Sequence, residues 1–206
     1  MGLKKTILAI LSFVLIISSC KHRINWKYLS QEDLENFRKE FSLPKEKTFR
    51  LDTNYTRYLF SFDTTRYADQ IKNHYQPIQA LYYDRNGQLV SFHINCYASA
   101  GIPGDSDLNW NQQNAFASFV PRTVAPVDSM LPLTQHLSFI KTLGYKPIDT
   151  TGFAAFDYTV IVYWSKHYLG PKNSKNLIKI VFDNAALAGD KKVNLIYVNS
   201  ENILYY

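Results

Sequence analysis

Asp157-Tyr158-Thr159-Val160-Ile161-Val162-Tyr163-Trp164 is a nearly unbroken apolar, β-branched run. A strand with one wet face alternates apolar and polar residues, so such a run predicts a strand covered on both faces, as in α/β sheets. Downstream, Leu177, Val181, Ala185 and Ala188 fall on one stripe of a helix predicted over 173–188, and Gly189 closes it. Residues 193–198 form another apolar strand. Strand, helix and strand with short connections make a parallel βαβ unit, and the fold class is α/β.

Working upstream, two strands flank Arg85-Asn86-Gly87, and Asn-Gly is the strongest short hairpin signal. In the second of them Val90, Phe92, Ile94 and Cys96 share one face, so Cys96 is expected in the core. Tyr67, Ile71 and Tyr75 mark a helix over 64–75, capped by Asp63 and ended by Pro77. Ser30 and Asp33 form a capping box for a first helix carrying Leu34, Phe37 and Phe41, and Pro44 stops it. Residues 48–62, with Tyr55, Tyr58, Phe60 and Phe62 among threonines, look extended. A helix over 134–143 turns Leu137 and Ile140 inward and stops at Gly144. Between 98 and 132 no period is sustained, and Pro103, Pro121, Pro126 and Pro132 interrupt the chain. Loops beyond about 15 residues are often binding loops, which makes 98–132 the expected recognition segment.

The chain has 206 residues, 46% apolar and 19% charged, with two cysteines. That composition excludes disorder, coiled coil, collagen and a disulfide-dense mini-domain. The net charge is +6. Two of those positives, Lys4 and Lys5, belong to the leader described next, and no stretch gathers the basic residues of a nucleic-acid face.

Lys4 and Lys5 precede an apolar segment over 7–17. Its eleven residues span about 16 Å as a helix, too short for a hydrocarbon core of about 30 Å, so residues 1–19 read as a signal peptide. Ile17-Ser18-Ser19-Cys20 resembles the lipobox of bacterial lipoproteins, in which the cysteine is diacylated on sulfur and becomes the mature N-terminus. The resemblance implies a lipid anchor on Cys20, a tether over 20–29 and a domain over 30–206. Lys21 stands where inner-membrane lipoproteins carry an aspartate, which points to the outer membrane, facing the periplasm. Cys96 then has no intramolecular disulfide partner.

Two segments resemble thioredoxin, in the reverse order. Tyr163-Trp164-Ser165 at a strand end, followed by Gly170-Pro171 at a helix start, is similar to the F-W-A and C-G-P-C of that family. Leu169 and Lys172 stand at the two cysteine positions. Pro77 followed by Ile78-Gln79-Ala80-Leu81-Tyr82-Tyr83-Asp84-Arg85-Asn86-Gly87 resembles the later half of thioredoxin, where a cis-proline enters a strand that turns at Asn-Gly. The resemblance implies a thioredoxin-like three-layer sandwich in circularly permuted order, helix-hairpin-helix before βαβ. Its core covers 63–97 and 134–200, with 98–132 inserted and N-terminal additions. It also implies that Pro77 lies beside the Gly170-Pro171 tip, and that the helix over 134–143 serves as the final helix. Without its two thiols such a tip is redox-silent.

Other chemistry is not assigned: no catalytic residue, cofactor or metal is expected. His93 and Cys96 are separated by an odd number of residues, so on a strand they point to opposite faces. His74, His93, His136 and His167 lack metal-ligand spacing. Asp105-Ser106-Asp107-Leu108-Asn109 resembles the opening of a calcium loop, but Trp110 and Phe116 stand where its glycine and bidentate glutamate belong. Asn109, Trp110 and Asn111 offer an aromatic face among amides. That pattern suits stacking on a glycan or peptide, or else Trp110 pins the long loop to the core. The expected function is a membrane-anchored binding or assembly module for an envelope protein or glycan. The alternatives are a single-cysteine oxidoreductase, a hydrolase with a dispersed site, and a glycan binder built on Trp110.

Overall fold

A computed structural model describes residues 29–98 and 107–205. The elements are α1 (Gln31–Glu40), β1 (Thr48–Leu51), α2 (Asn54–Leu59), α3 (Ala68–His74), β2 (Gln79–Asp84), β3 (Leu89–Ile94) and α4 (Asn95–Ala98). They continue with α5 (Leu133–Ser138), β4 (Ile140–Thr142), β5 (Tyr158–Trp164), α6 (Gly170–Ala185) and β6 (Val193–Asn199). The lipobox with Cys20 and the leader lie outside the described residues, as do Pro103, Asp105 and Ser106. No helix among the described residues is long and apolar enough to cross a membrane.

All six strands form one open sheet in the order β3-β2-β5-β6-β1-β4. The apolar run that opens the sequence reading is its middle. β5 pairs antiparallel with β2 from Tyr158↔Asp84 to Tyr163↔Gln79, and parallel with β6 from Tyr158↔Val193 to Trp164↔Asn199. With a strand on either side and helices over both faces, every residue of β5 from Thr159 onward is buried. β6 and β1 continue the parallel set, and β4 closes the edge antiparallel. The hairpin turn is held by Asp84, whose Oδ1 accepts the N–H groups of Asn86 and Gln88, both at 2.9 Å.

Alternation along the strands sends Leu81, Tyr83, Ile161 and Tyr163 to one face, under α2, α3 and α5. It sends Ala80, Tyr82, Val160, Val162 and Trp164 to the other, where Leu177 and Val181 of α6 meet Trp110, Ala115 and Phe116. Of the expected recognition segment, Trp110, Ala115 and Phe116 are therefore core on the α6 face, and Ala125, Met130 and Leu131 are core on the opposite one. α1 begins at the expected box: Ser30 Oγ accepts the Asp33 N–H at 3.1 Å, and Asp33 Oδ2 accepts the Ser30 N–H at 3.0 Å.

Several expectations are corrected. Residues 48–62 are not one extended segment. After β1 the Asp52 carboxylate accepts the Asn54 N–H, and Tyr55 and Leu59, one turn apart on α2, both reach the core. Asp63 caps a turn through the Thr65 and Arg66 N–H groups, so α3 begins only at Ala68. The helix expected over 134–143 ends at Ser138 because Ile140–Thr142 pairs with the open edge of β1. It also packs on the face opposite α6. Finally, β3 stops at Ile94 and the chain turns into α4, which leaves Cys96 exposed instead of buried. A two-residue period ceases to apply once the strand ends.

Candidate functional site

A groove of about 510 Å³ lies at the hairpin end of the sheet, on the α5 face; concavities of about 520 and 500 Å³ lie between Glu40–Pro44 and α6, and between the hairpin and residues 127–132. The hairpin turn forms one wall, α5 and the start of β4 a second, and residues 147–156 a third. α5 is docked against the turn by the Leu133 N–H, which donates to the Gly87 carbonyl at 3.0 Å. Glycine is needed at 87 twice over: φ is +74°, and a Cβ there would lie 3.2 Å from Leu133 Cβ.

A buried polar chain fixes α5 from behind. The Tyr83 hydroxyl donates to the Leu131 carbonyl at 3.1 Å, so His136 Nδ1–H donates to Tyr83 at 2.8 Å, and Nε2 accepts from the Tyr163 hydroxyl at 2.5 Å. The tautomer follows from this network. Burial pushes the His136 pKa well below its ordinary value, and the nearby His74 adds to the effect.

Leu137, Ile140, Ile148, Phe153 and Phe156 give the groove an apolar body. Thr159 lies in its floor, 3% exposed, with no hydrogen-bond partner for its hydroxyl among the described residues. Three charged residues line it. Arg85 Nη2 is bound to Asp157 at 2.5 Å, and Asp84 is committed to the turn amides. The Lys141 ammonium donates to the Ser138 carbonyl at 2.5 Å and meets no carboxylate among the described residues.

The carboxyl ends of β5 and β6 are closed instead. The Ser200 hydroxyl donates to the Pro77 carbonyl and sits 3.2 Å from the Trp164 carbonyl, which also accepts the Ser200 N–H at 3.1 Å. Pro77 thus lies at the end of the strand that leads to Gly170-Pro171. The one cis peptide bond among the described residues joins Phe119 and Val120, so the bond before Pro77 is trans. Glu201, 1% exposed, accepts the Ser165 hydroxyl at 2.9 Å and the Lys166 and His167 N–H groups at 2.7 and 3.1 Å through Oε1.

Trp164 is buried beside Phe41. Leu169 caps α6 in the left-handed region at φ 53°, Gly170 follows at φ 73°, and Pro171 occupies the first turn. Lys172 pairs with Asp107, a residue of the calcium-like stretch. No group of three metal-ligating side chains exists among the described residues.

Trp110 is 5% exposed, and its indole N–H donates to the Asn173 carbonyl at 3.2 Å. Placed so, it pins its segment to α6 and offers no open face for stacking. Asn111 Oδ1 accepts the Phe116 N–H, and the Asn109 N–H donates to the Ala98 carbonyl. Cys96 donates to Gln76 Oε1 at 3.1 Å, with the Asn95 amide 3.9 Å away. His93 is buried against Phe116, and burial, helped by the Arg122 charge, pushes its pKa down to about 3.

Sequence reasoning did not find the groove. Its lining comes from four separated segments, and no motif marks Lys141, Phe153 or Thr159. Comparison with protein families, curated proteins and solved structures finds no match to this chain.

Proposed function

We propose that this chain is a non-catalytic binding module, held on the outer membrane by a lipid on Cys20 and facing the periplasm. Its scaffold is a redox-silent, circularly permuted thioredoxin-like sandwich. Its ligand site is the groove walled by the hairpin turn, α5 and residues 147–156. What supports the scaffold is the single sheet in which β2 and β3 lie directly beside the βαβ unit. Leu169 and Lys172 at the α6 tip supply no thiol. The trans bond at Pro77 departs from the thioredoxin pattern.

The observation that carries the binding reading is the groove itself. About 510 Å³, apolar walls and a few polar groups match the usual small-ligand site. The full chain in phosphatidylcholine nanodiscs, irradiated with a neutral diazirine-bearing dodecanol, is expected to carry adducts on 133–156. Ala154→Trp, which fills the groove from an exposed position, should lower their yield several-fold. Adducts elsewhere, or a yield indifferent to Ala154→Trp, would overturn the reading. For the anchor, palmitate incorporation lost in Cys20→Ser is the expected result.

One observation favours a second reading, a single-cysteine oxidoreductase: Cys96 is exposed. Its immediate partners are neutral amides, and the helix it lies on, α4, is a single four-residue turn, whereas reactive thiols sit beside cations or at the N-termini of longer helices. Alkylation of folded protein no faster than that of a free thiol removes this reading.

A further inference from the structure

We propose that the outer face of α6 is a dimer surface, on which a second copy of this chain packs with its own α6 antiparallel. The surface lies across the sheet from the groove, so the inference does not depend on what the groove binds.

The first observation is apolar exposure. Phe182 is 61% and Leu187 55% exposed, more than any other large apolar side chain among the described residues. Beside Phe182 runs the cleft of about 520 Å³ between Glu40–Pro44 and α6, lined by Phe41, Leu43 and Ile178. Apolar side chains that protrude beside a hole on the same face make the self-complementary patch that a two-fold interface requires.

The second is charge order. α6 carries Lys172, Lys175 and Lys179 first and Asp183 later, with Asp190 just beyond its end. The helix macrodipole favours the reverse, acids first and bases last, so this order does not serve the helix itself. It serves an antiparallel pair, in which the basic half of each copy meets the acidic end of the other and the two dipoles oppose. Lys191 and Lys192 follow, but their charge bears on Asp157 at the start of β5. Within one copy the three α6 lysines make exposed pairs with Asp107, Glu40 and Asp183, which contribute little.

The third is register. Lys179 and Asp183 already meet on their own helix. Across a two-fold axis level with Val181 each also faces the other's counterpart, which closes an alternating ring of charges. Leu187 and Lys175 stand equally far from Val181 along the chain. The same axis therefore sets the Leu187 of one copy against the Lys175 of the other, at the rim of the apolar cleft.

Sedimentation equilibrium of the full chain in neutral detergent micelles tests this. The wild type should dimerise reversibly as its concentration rises. Lys179→Asp or Asp183→Lys alone sets like charges together across the interface and should weaken the dimer by about tenfold or more. Both side chains are exposed, so far-UV circular dichroism should not change. An equimolar mixture of the two variants restores every opposite pairing and should recover a dimer of wild-type strength, which no effect within one copy would produce. Phe182→Ser should weaken the dimer as well. A chain that stays monomeric at every concentration overturns the inference, as do reversals that leave the dimer unchanged or a mixture of folded variants that fails to recover it.

Discussion

The middle strands of the sheet end in two different ways. At the carboxyl ends of β5 and β6, Ser200, Glu201 and Ser165 tie the strand ends, the Pro77 carbonyl and the loop before α6 into one buried hydrogen-bonded block. At the hairpin end α5 and residues 147–156 wall an open groove with Thr159 in its floor. The end that resembles a catalytic tip is built for stability. The hairpin end keeps an open concavity instead. Buried hydrogen bonds hold the closed end, although Glu201 Oε2 and Trp164 Nε1 there keep no partner among the described residues.

The contrast breaks most forcefully at Trp110, which seals the α6 face. Trp110→Ala should cost about 4 kcal/mol, a large aromatic-to-alanine cavity in a closed site, seen as a lower urea midpoint at unchanged slope. Glu201→Ala comes next, at about 3 kcal/mol, because one hydroxyl and two N–H groups lose their acceptor together. A midpoint unmoved by either substitution would show that the closed end is not what holds the sheet.

Acid acts on the layers between the two ends. His93 and His136 are held neutral in the fold by burial, while in the unfolded chain each gains a proton below about pH 6.5. Their stabilising contribution is full above that value and is lost as pH falls toward the depressed folded value. Each should therefore remove about 2 kcal/mol by pH 5. Paired urea titrations at pH 7 and pH 5 measure the sum, and His93→Gln should remove about half of it.

The smallest effect sharpens the comparison best. Thr159→Val deletes a hydroxyl that serves no protein partner, so the midpoint should stay put or rise, by no more than about 1 kcal/mol. A clear loss of stability would mean that the hydroxyl has structural work after all.

What the sequence disclosed followed the range of its signals. β5, α6, β6 and the hairpin are written in local periodicity and in Asn86-Gly87, and they stand where expected. α2 was hidden because aromatic residues among threonines read as strand until Asp52 is seen starting a turn. β4 has three residues and exists because β1 offers a free edge. Cys96 was misplaced because nothing local announces where β3 stops; the last ladder bond runs from the Asn95 N–H to the Ile78 carbonyl. Local propensity is overridden by such tertiary pairing. The groove was wholly illegible, since Arg85, Lys141, Phe153 and Thr159 carry no mutual spacing until the sheet brings them together.

Amide hydrogen exchange of the full chain in nanodiscs, with and without saturating dodecanol, tests most directly which end takes the ligand. Exchange should slow across 133–141 and 147–156 and stay unchanged across 164–173. Slowing confined to 164–173, or none around the groove, would contradict the account.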